Sequence, residues 1–236
     1  MTEKKAQRNS KNSVPITSKD TEIYQSIYDA IVEHRLAPGS KLPEDSLAET
    51  FGVSRTIIRK VLLNLTHGGL VTSKPNHGSR VAHPTAKEGK EVFASRRIVE
   101  VAALPLVIEN LTKEQLEELK AIDKAEKSAQ AGFDQHKAIK LSGQFHEAII
   151  AVTDNKILIE FVRNLISQSS LIVAVYGSNQ PQRTSCQGHT DLLSLMQAGD
   201  INKSQQWMDD HLRNVEGTLE FSTEKTDVIN FSKVFF

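Results

Sequence analysis

Residues 42–83 read LPEDSLAETFGVSRTIIRKVLLNLTHGGLVTSKPNHGSRVAH. Within them, residues 44–51 place Leu47 and Phe51 on one helical face, and Gly52 stops that helix. Ser54 stands as an N-cap before a longer helix whose apolar face is Ile58, Val61, Leu62 and Leu65. Two short helices joined by Gly-Val-Ser predict a helix-turn-helix. After Gly68-Gly69, the segments LVTSK and SRVAH alternate apolar with polar side chains around the turn cluster Pro75-Asn76-His77-Gly78, the pattern of a β-hairpin. Upstream, Ile23, Ile27, Ile31 and Val32 recur at helical spacing, so a further helix is expected from Thr21 to near Leu36, stopped by Ala37-Pro38-Gly39. Three helices and a small hairpin form a winged helix-turn-helix over residues 18–83, whose third helix enters the DNA major groove.

Residues 1–17 are rich in Lys, Ser, Asn and Gln without apolar periodicity, which predicts a flexible arm. Beyond Pro84 the texture changes to long amphipathic helices, expected near 87–110, 114–131, 134–152, 156–176, 185–198 and 201–222. Thr112 with Gln115 makes a capping box, Gly132 and Gly199 sit where helix ends fall, and Pro105 is expected to kink the first helix. Residues 177–184, with Pro181, read as a loop, and Val228, Ile229, Phe231 and Phe235 as a docking tail. The expected fold is mainly α, a winged helix-turn-helix followed by an all-α helical bundle over residues 84–236.

The chain has 236 residues, 39% hydrophobic and 25% charged, as in an ordinary soluble protein of one or two domains. No apolar run approaches the roughly 20 residues that cross a bilayer, so no membrane partner is expected. The polar N-terminus lacks the apolar core of a secretory signal, and the lone Cys186 cannot close an intrachain disulfide, which together place the chain in a reducing cytosol. Charge is unevenly spread. Residues 1–83 carry 12 basic against 8 acidic side chains, and residues 84–236 carry 17 against 21, so a basic first third joins an acidic remainder. That asymmetry suits a first part that faces a polyanion.

At Leu42-Pro43-Glu44, then LAETFGVSRTIIRKVLLNLTHGGLV and PNHGSRV, the order of residues resembles the GntR family of bacterial transcription regulators. The second part resembles the all-helical, FCD-type ligand-binding domain of the FadR-like branch. The motifs are Arg96-Arg97 with Glu100, Phe145-His146 followed by Asp154-Asn155, Gly188-His189, and Gly199-Asp200 followed by Asp209-Asp210-His211-Leu212. The resemblance implies a homodimer that binds a palindromic operator and answers to a small-molecule effector, commonly as a repressor. Asp45 stands where the best-known fatty-acid-responsive members carry a basic residue, which implies a different operator sequence.

Arg55 and Arg59 lie four apart on one helical face, where a guanidinium pairs with guanine O6 and N7 or holds a phosphate. Ser54 and Thr56 are short donors suited to phosphate oxygens. His77 and Gly78 match the family's wing turn near the minor groove, and Arg80 is a further phosphate candidate. His146, His189 and His211 stand at positions that the family uses as metal ligands, each on an expected helix. Three imidazoles suit a divalent ion of the zinc or nickel type and leave room for a carboxylate effector. Arg96 and Arg183 are the side chains expected to neutralise that effector. Ser142 occupies the position of the family's usual Asp ligand, which weakens the expected metal site and leaves the position to water or effector. His34, His67, His83 and His136 read as ordinary hydrogen-bonding histidines, Cys186 as a packing residue, and Trp207 as sharing a face with His211. Two other functions compete with this reading. One is a metal-dependent hydrolase with Glu147 as base, disfavoured by the absence of a nucleophile elbow, a P-loop or a Rossmann glycine pattern. The other is an effector-independent DNA-binding protein, disfavoured by His and Arg concentrated on otherwise apolar helices.

Overall fold

A computed structural model describes residues 18–74, 77–177 and 189–221. The first unit comprises α1 (Ser18–Val32), β1 (Lys41–Leu42), α2 (Glu44–Phe51), α3 (Arg55–His67), β2 (Val71–Lys74) and β3 (Gly78–Val81). Ile23, Ile27, Ile31, Ile58, Val61, Leu62 and Leu65, the apolar faces expected of α1 and α3, meet in one core with Leu47 of α2. Gly52 takes a left-handed φ of +60° at the end of α2, which lets Val53 N–H return to Ala48 O at 3.0 Å and sets the turn between the two short helices.

Two features depart from the expected pattern. The first helix ends at Val32, because His34 adopts φ +56° and Leu36 N–H folds back onto Ala30 O at 2.7 Å. The hairpin β2–β3 gains a third antiparallel strand: β1 pairs with β3, Lys41 opposite Arg80 and Leu42 opposite Ser79, in the order β1-β3-β2. A two-residue strand carries no periodicity, so only Leu42, fully buried, ties it to the core.

The second unit is helical: α4 (Ala86–Asn110), α5 (Lys113–Ala131), α6 (Gln135–Ala151), α7 (Lys156–Tyr176), α8 (Thr190–Gln197) and α9 (Ile201–Gly217). Capping boxes start α4 at Thr85–Glu88 and α5 at Thr112–Gln115. α4 runs through Pro105 as one helix. Proline removes the donor that Val101 O would receive, and Gln205 of α9 supplies one from its side-chain amide at 3.0 Å. The 21-residue α7 is long and apolar enough to cross a bilayer, contrary to the expectation of no such run, but its buried residues from Val162 to Tyr176 pack against the other helices of the unit and against α1.

α1 docks on α6 and α7. Tyr28 Oη lies 3.0 Å from Ser167 Oγ, His34 Nε2 lies 3.1 Å from Ser170 O, Ser170 Oγ donates to Val32 O, and Lys140 bridges Asp29 and Glu33. Leu171 of α7 joins the core of the first unit. The expected N-terminal arm, residues 178–184 of the expected loop with Arg183, the first residues of the helix expected over 185–198 with Cys186, and the C-terminal tail lie outside the described residues.

Candidate functional site: an arginine-bearing helix and a buried histidine cluster

Ser54, Arg55, Thr56 and Arg59 are all exposed at the start of α3, as helical spacing requires once Ile58, Val61 and Leu62 point inward. Neither guanidinium is idle. Arg55 Nε meets Asp45 Oδ1 at 2.9 Å, and Arg59 forms a fork on Glu44, at 3.2 Å from Nε and 2.7 Å from Nη2. Both acids belong to α2, so the second helix holds the arginine heads of the third. His77, Gly78 and Arg80 are exposed on the hairpin, Gly78 with φ +72°, and Arg80 donates to Gly39 O at 3.2 Å.

The second centre lies in the helical unit. His146 comes from α6 and His211 from α9, but His189 precedes α8 at its N-cap position. The expectation that all three lie on helices is therefore corrected for His189, because its φ and ψ of −69° and 2° place it in the turn that opens α8. Each is buried, and one ligand atom from each lies within 4.8 Å of the others. His146 Nε2 and His211 Nε2 are 3.4 Å apart.

A carboxylate backs His146. Arg96 and Glu100, four apart on α4, form a buried pair with Nε to Oε1 at 2.6 Å, while Arg96 Nη1 donates to Ser169 Oγ at 3.0 Å. Burial pushes the Glu100 carboxyl up, but the Arg96 charge and His146 outweigh it and hold the pKa at about 2. An ionised carboxylate only accepts hydrogen bonds, so His146 Nδ1, 2.6 Å from Glu100 Oε2, carries the proton and leaves Nε2 as a lone-pair donor. Burial lowers the pKa of both His146 and His211, so both are neutral at neutral pH, the form that binds a metal. Trp207 stacks on His211 with ring centroids 4.8 Å apart, and Phe145 stacks on His189 at 4.0 Å.

A second carboxylate, Glu126 of α5, belongs to none of the motifs that the sequence displays. Its Oε2 approaches His189 Nδ1 at 2.9 Å, but not along a hydrogen-bonding direction, so the contact is electrostatic. Glu126 Oε2 and both ring nitrogens of His189 are buried without a hydrogen bond, and Oε1 receives only the amide of Gln130, at 3.1 Å. The signal that could have found it is the inward face of α5, which runs Leu116, Leu119, Asp123, Glu126. Two acids where helical spacing demands apolar side chains mark a site. Asp123 accepts from Thr190 Oγ1 at 2.7 Å and from Lys127 at 3.0 Å, which anchors α5 to the turn that carries His189.

These residues fit a divalent cation. Two nitrogens on one tetrahedral zinc, each at about 2.0–2.1 Å, stand about 3.3 Å apart, close to the 3.4 Å between His146 and His211. Orphaned buried donors and an uncompensated carboxylate are costly without a cation to satisfy them.

The cluster borders a cavity of about 890 Å³. Arg96, Ser142, His146 and His211, four of the expected residues, line that cavity with Glu126, and His189 joins the other two histidines without lining it. Tyr24, Tyr28, Asp29 and Val32 of α1 line the same cavity. One helix thus serves both the core of the first unit and the wall of a chamber in the second.

Comparison with known proteins follows the same division. Residues 19–81 match the description "Bacterial regulatory proteins, gntR family" and residues 91–214 match "FCD domain". The HTH-type transcriptional regulator YdhC of Bacillus subtilis is 32% identical over 149 residues, 61% of this chain and 66% of that protein. The transcriptional repressor RspR of Escherichia coli is 22% identical over 215 residues, covering 90% of this chain and 94% of its own. Among solved structures, McbR/YncC of Escherichia coli superposes with a TM-score of 0.74 at 23% identity, over 84% of this chain and 94% of that one.

Proposed function

The chain belongs to the GntR family of bacterial regulators and carries an FCD domain, and from that premise we propose a homodimeric repressor whose operator binding answers to a carboxylate effector and a bound metal. It is a transcriptional regulator and not an enzyme, like the relatives that it matches. Glu147, the sequence candidate for a general base, pairs with Arg163 at 3.2 Å.

In this reading residues 18–83 are the DNA-binding domain. Ser54, Arg55, Thr56 and Arg59 enter the major groove, and His77, Gly78 and Arg80 follow the neighbouring backbone. Pairing with a second copy is supported by an apolar row on α4, Ile98 and Leu106 with Ala102 between them, at i, i+4 and i+8. Ile98 is 72% exposed, more than an apolar side chain in a helix row ordinarily is.

His146, His189 and His211 would hold a divalent metal of the zinc or nickel type. When bound, it supplies positive charge beside the cavity. Arg96 and Ser142 add a guanidinium and a hydroxyl to the lining, suited to a carboxylate. The single observation that carries the proposal is the convergence of three buried imidazoles beside a cavity that two of them, His146 and His211, line together with α1. A ligand there touches the helix on which α3 packs, so its affinity differs between arrangements of the two units, and that difference is what a population shift requires.

Elemental analysis of protein purified without chelators or a metal-binding tag tests this. About one metal per chain, lost in His189→Ala, is the expected result. A metal-free wild-type chain would remove the ion from the proposal and leave a polar cavity alone.

A further inference from the structure

Ser142 leaves the cluster without the carboxylate that the sequence resemblance leads one to expect there, yet the cluster is not short of acids. Glu126 is 1% exposed, its Oε2 has no hydrogen bond, and it stands 2.9 Å from His189 Nδ1. Glu100 stands behind His146 in the corresponding place, but its charge is already matched by Arg96. Among the described residues Glu126 has no such cation, and its other oxygen accepts from the neutral amide of Gln130.

We infer that Glu126 is the positioning residue that supplies, from behind His189, the negative charge absent at Ser142. The inference rests on the reading of the histidine cluster as a metal centre. A carboxylate 2.9 Å from one ring nitrogen stabilises a cation held at the other, and such outer partners are worth about 10- to 100-fold in metal affinity. The cation in turn relieves a buried charge that no other described residue neutralises. Asp123, bonded to Thr190 and Lys127, holds α5 and the His189 turn in register, so Glu126 sits on a fixed platform.

Zinc affinity of the full chain, measured by competition with a chromophoric chelator at constant pH, tests the inference in wild type, Glu126→Gln and Glu126→Gln/Ser142→Asp. Glu126→Gln is expected to weaken zinc binding about 10- to 100-fold, and Ser142→Asp to restore most of the loss by returning the charge from the other side. Ser142→Asp alone is measured beside them: an added ligand raises affinity in any background, so the inference requires a larger gain in the Glu126→Gln chain than in the wild type, and equal gains overturn it. Circular dichroism checks the fold; if Glu126→Gln does not fold, Glu126→Asp, which keeps the charge at shorter reach, is expected to show a smaller loss that Ser142→Asp again repairs. Unchanged affinity in the Glu126 variant, or no rescue, overturns the inference alone. A wild-type chain that binds no zinc overturns the metal reading and the inference with it.

Discussion

At the start of α3, arginine meets aspartate in open solvent; inside the helical domain, arginine meets glutamate where no solvent reaches. Arg55 and Asp45 lie 2.9 Å apart with side chains 60% and 71% exposed, whereas Arg96 and Glu100 lie 2.6 Å apart at 7% and 1%. The chemistry is the same, but the alternatives differ. An exposed pair trades its partner for water or phosphate at little cost, and its net worth is about 0–1 kcal/mol. A buried pair has no substitute, because breaking it strands a charge in a low-dielectric interior. The first region can exchange its acids for another anion, which on the proposed reading is DNA phosphate. The second holds its geometry, and with it the orientation of His146.

The widest way to break that comparison is Arg96→Ala. It leaves Glu100 buried against His146 alone and frees Ser169, and should destabilise the chain by about 3–5 kcal/mol, read as a lower urea midpoint. A loss below about 1 kcal/mol would show that the inner pair behaves like a surface one. The result to compare is Arg55→Ala, whose midpoint should stay within experimental scatter.

Acid tests the buried region next. Burial lowers the pKa of His34 to about 4 and lowers those of His146 and His211, so these imidazoles stay neutral in the fold. In the unfolded chain they take protons near the ordinary value of about 6.5. The unfolded state therefore binds more protons between these limits, and stability falls as pH drops from about 6.5, for His34 down to about 4. A tenfold difference in proton affinity between the folded and unfolded chain is worth about 1.4 kcal/mol, so His34 alone contributes up to roughly 3 kcal/mol of acid sensitivity. Denaturant midpoints at pH 7.5 and pH 5 should differ accordingly, and His34→Gln should narrow the gap. No difference between the two pH values would mean that these rings take up protons in the fold.

How legible each region was in the sequence follows from the same contrast. The helix-turn-helix was readable because local rules suffice for it: apolar spacing set α1 and α3, Gly52 set the turn, and Ser54 marked the start of the recognition helix. The ion pairs from Asp45 and Glu44 were not, since they depend on how α2 lies across α3. In the helical domain the three histidines were found by resemblance, but their backing was not. Glu126 lies 20 residues before His146 and 63 before His189, and only the packing of α5 against α6 and α8 brings them together. Pro105 gave a clear local signal for a lost helix hydrogen bond, but nothing local showed that Gln205, 100 residues later, donates to the carbonyl left open. Local chemistry showed which residues were unusual; long-range contacts decided what they do.

The smallest expected effect sharpens the comparison most. Asp45→Ala removes the acid from Arg55 without touching a buried atom, so stability should change by less than about 1 kcal/mol. On DNA the effect has a definite sign. If α3 enters the groove as proposed, Asp45 carries negative charge near the phosphates and competes with them for the guanidinium, so its loss should tighten binding to a random-sequence duplex by a few-fold at low salt. Each Arg that neutralises a phosphate adds about 0.9 to the slope of log K against log salt, so Arg55→Ala should flatten that slope by about one if Arg55 holds a phosphate. Anisotropy titrations over a range of KCl concentrations separate the cases. If Asp45→Ala binds more tightly while Arg55→Ala loses slope, α2 restrains a phosphate-seeking arginine. If Arg55→Ala keeps its slope but no longer distinguishes a selected operator from random duplex, Arg55 reads a base, and Asp45 serves to aim it rather than to compete for it.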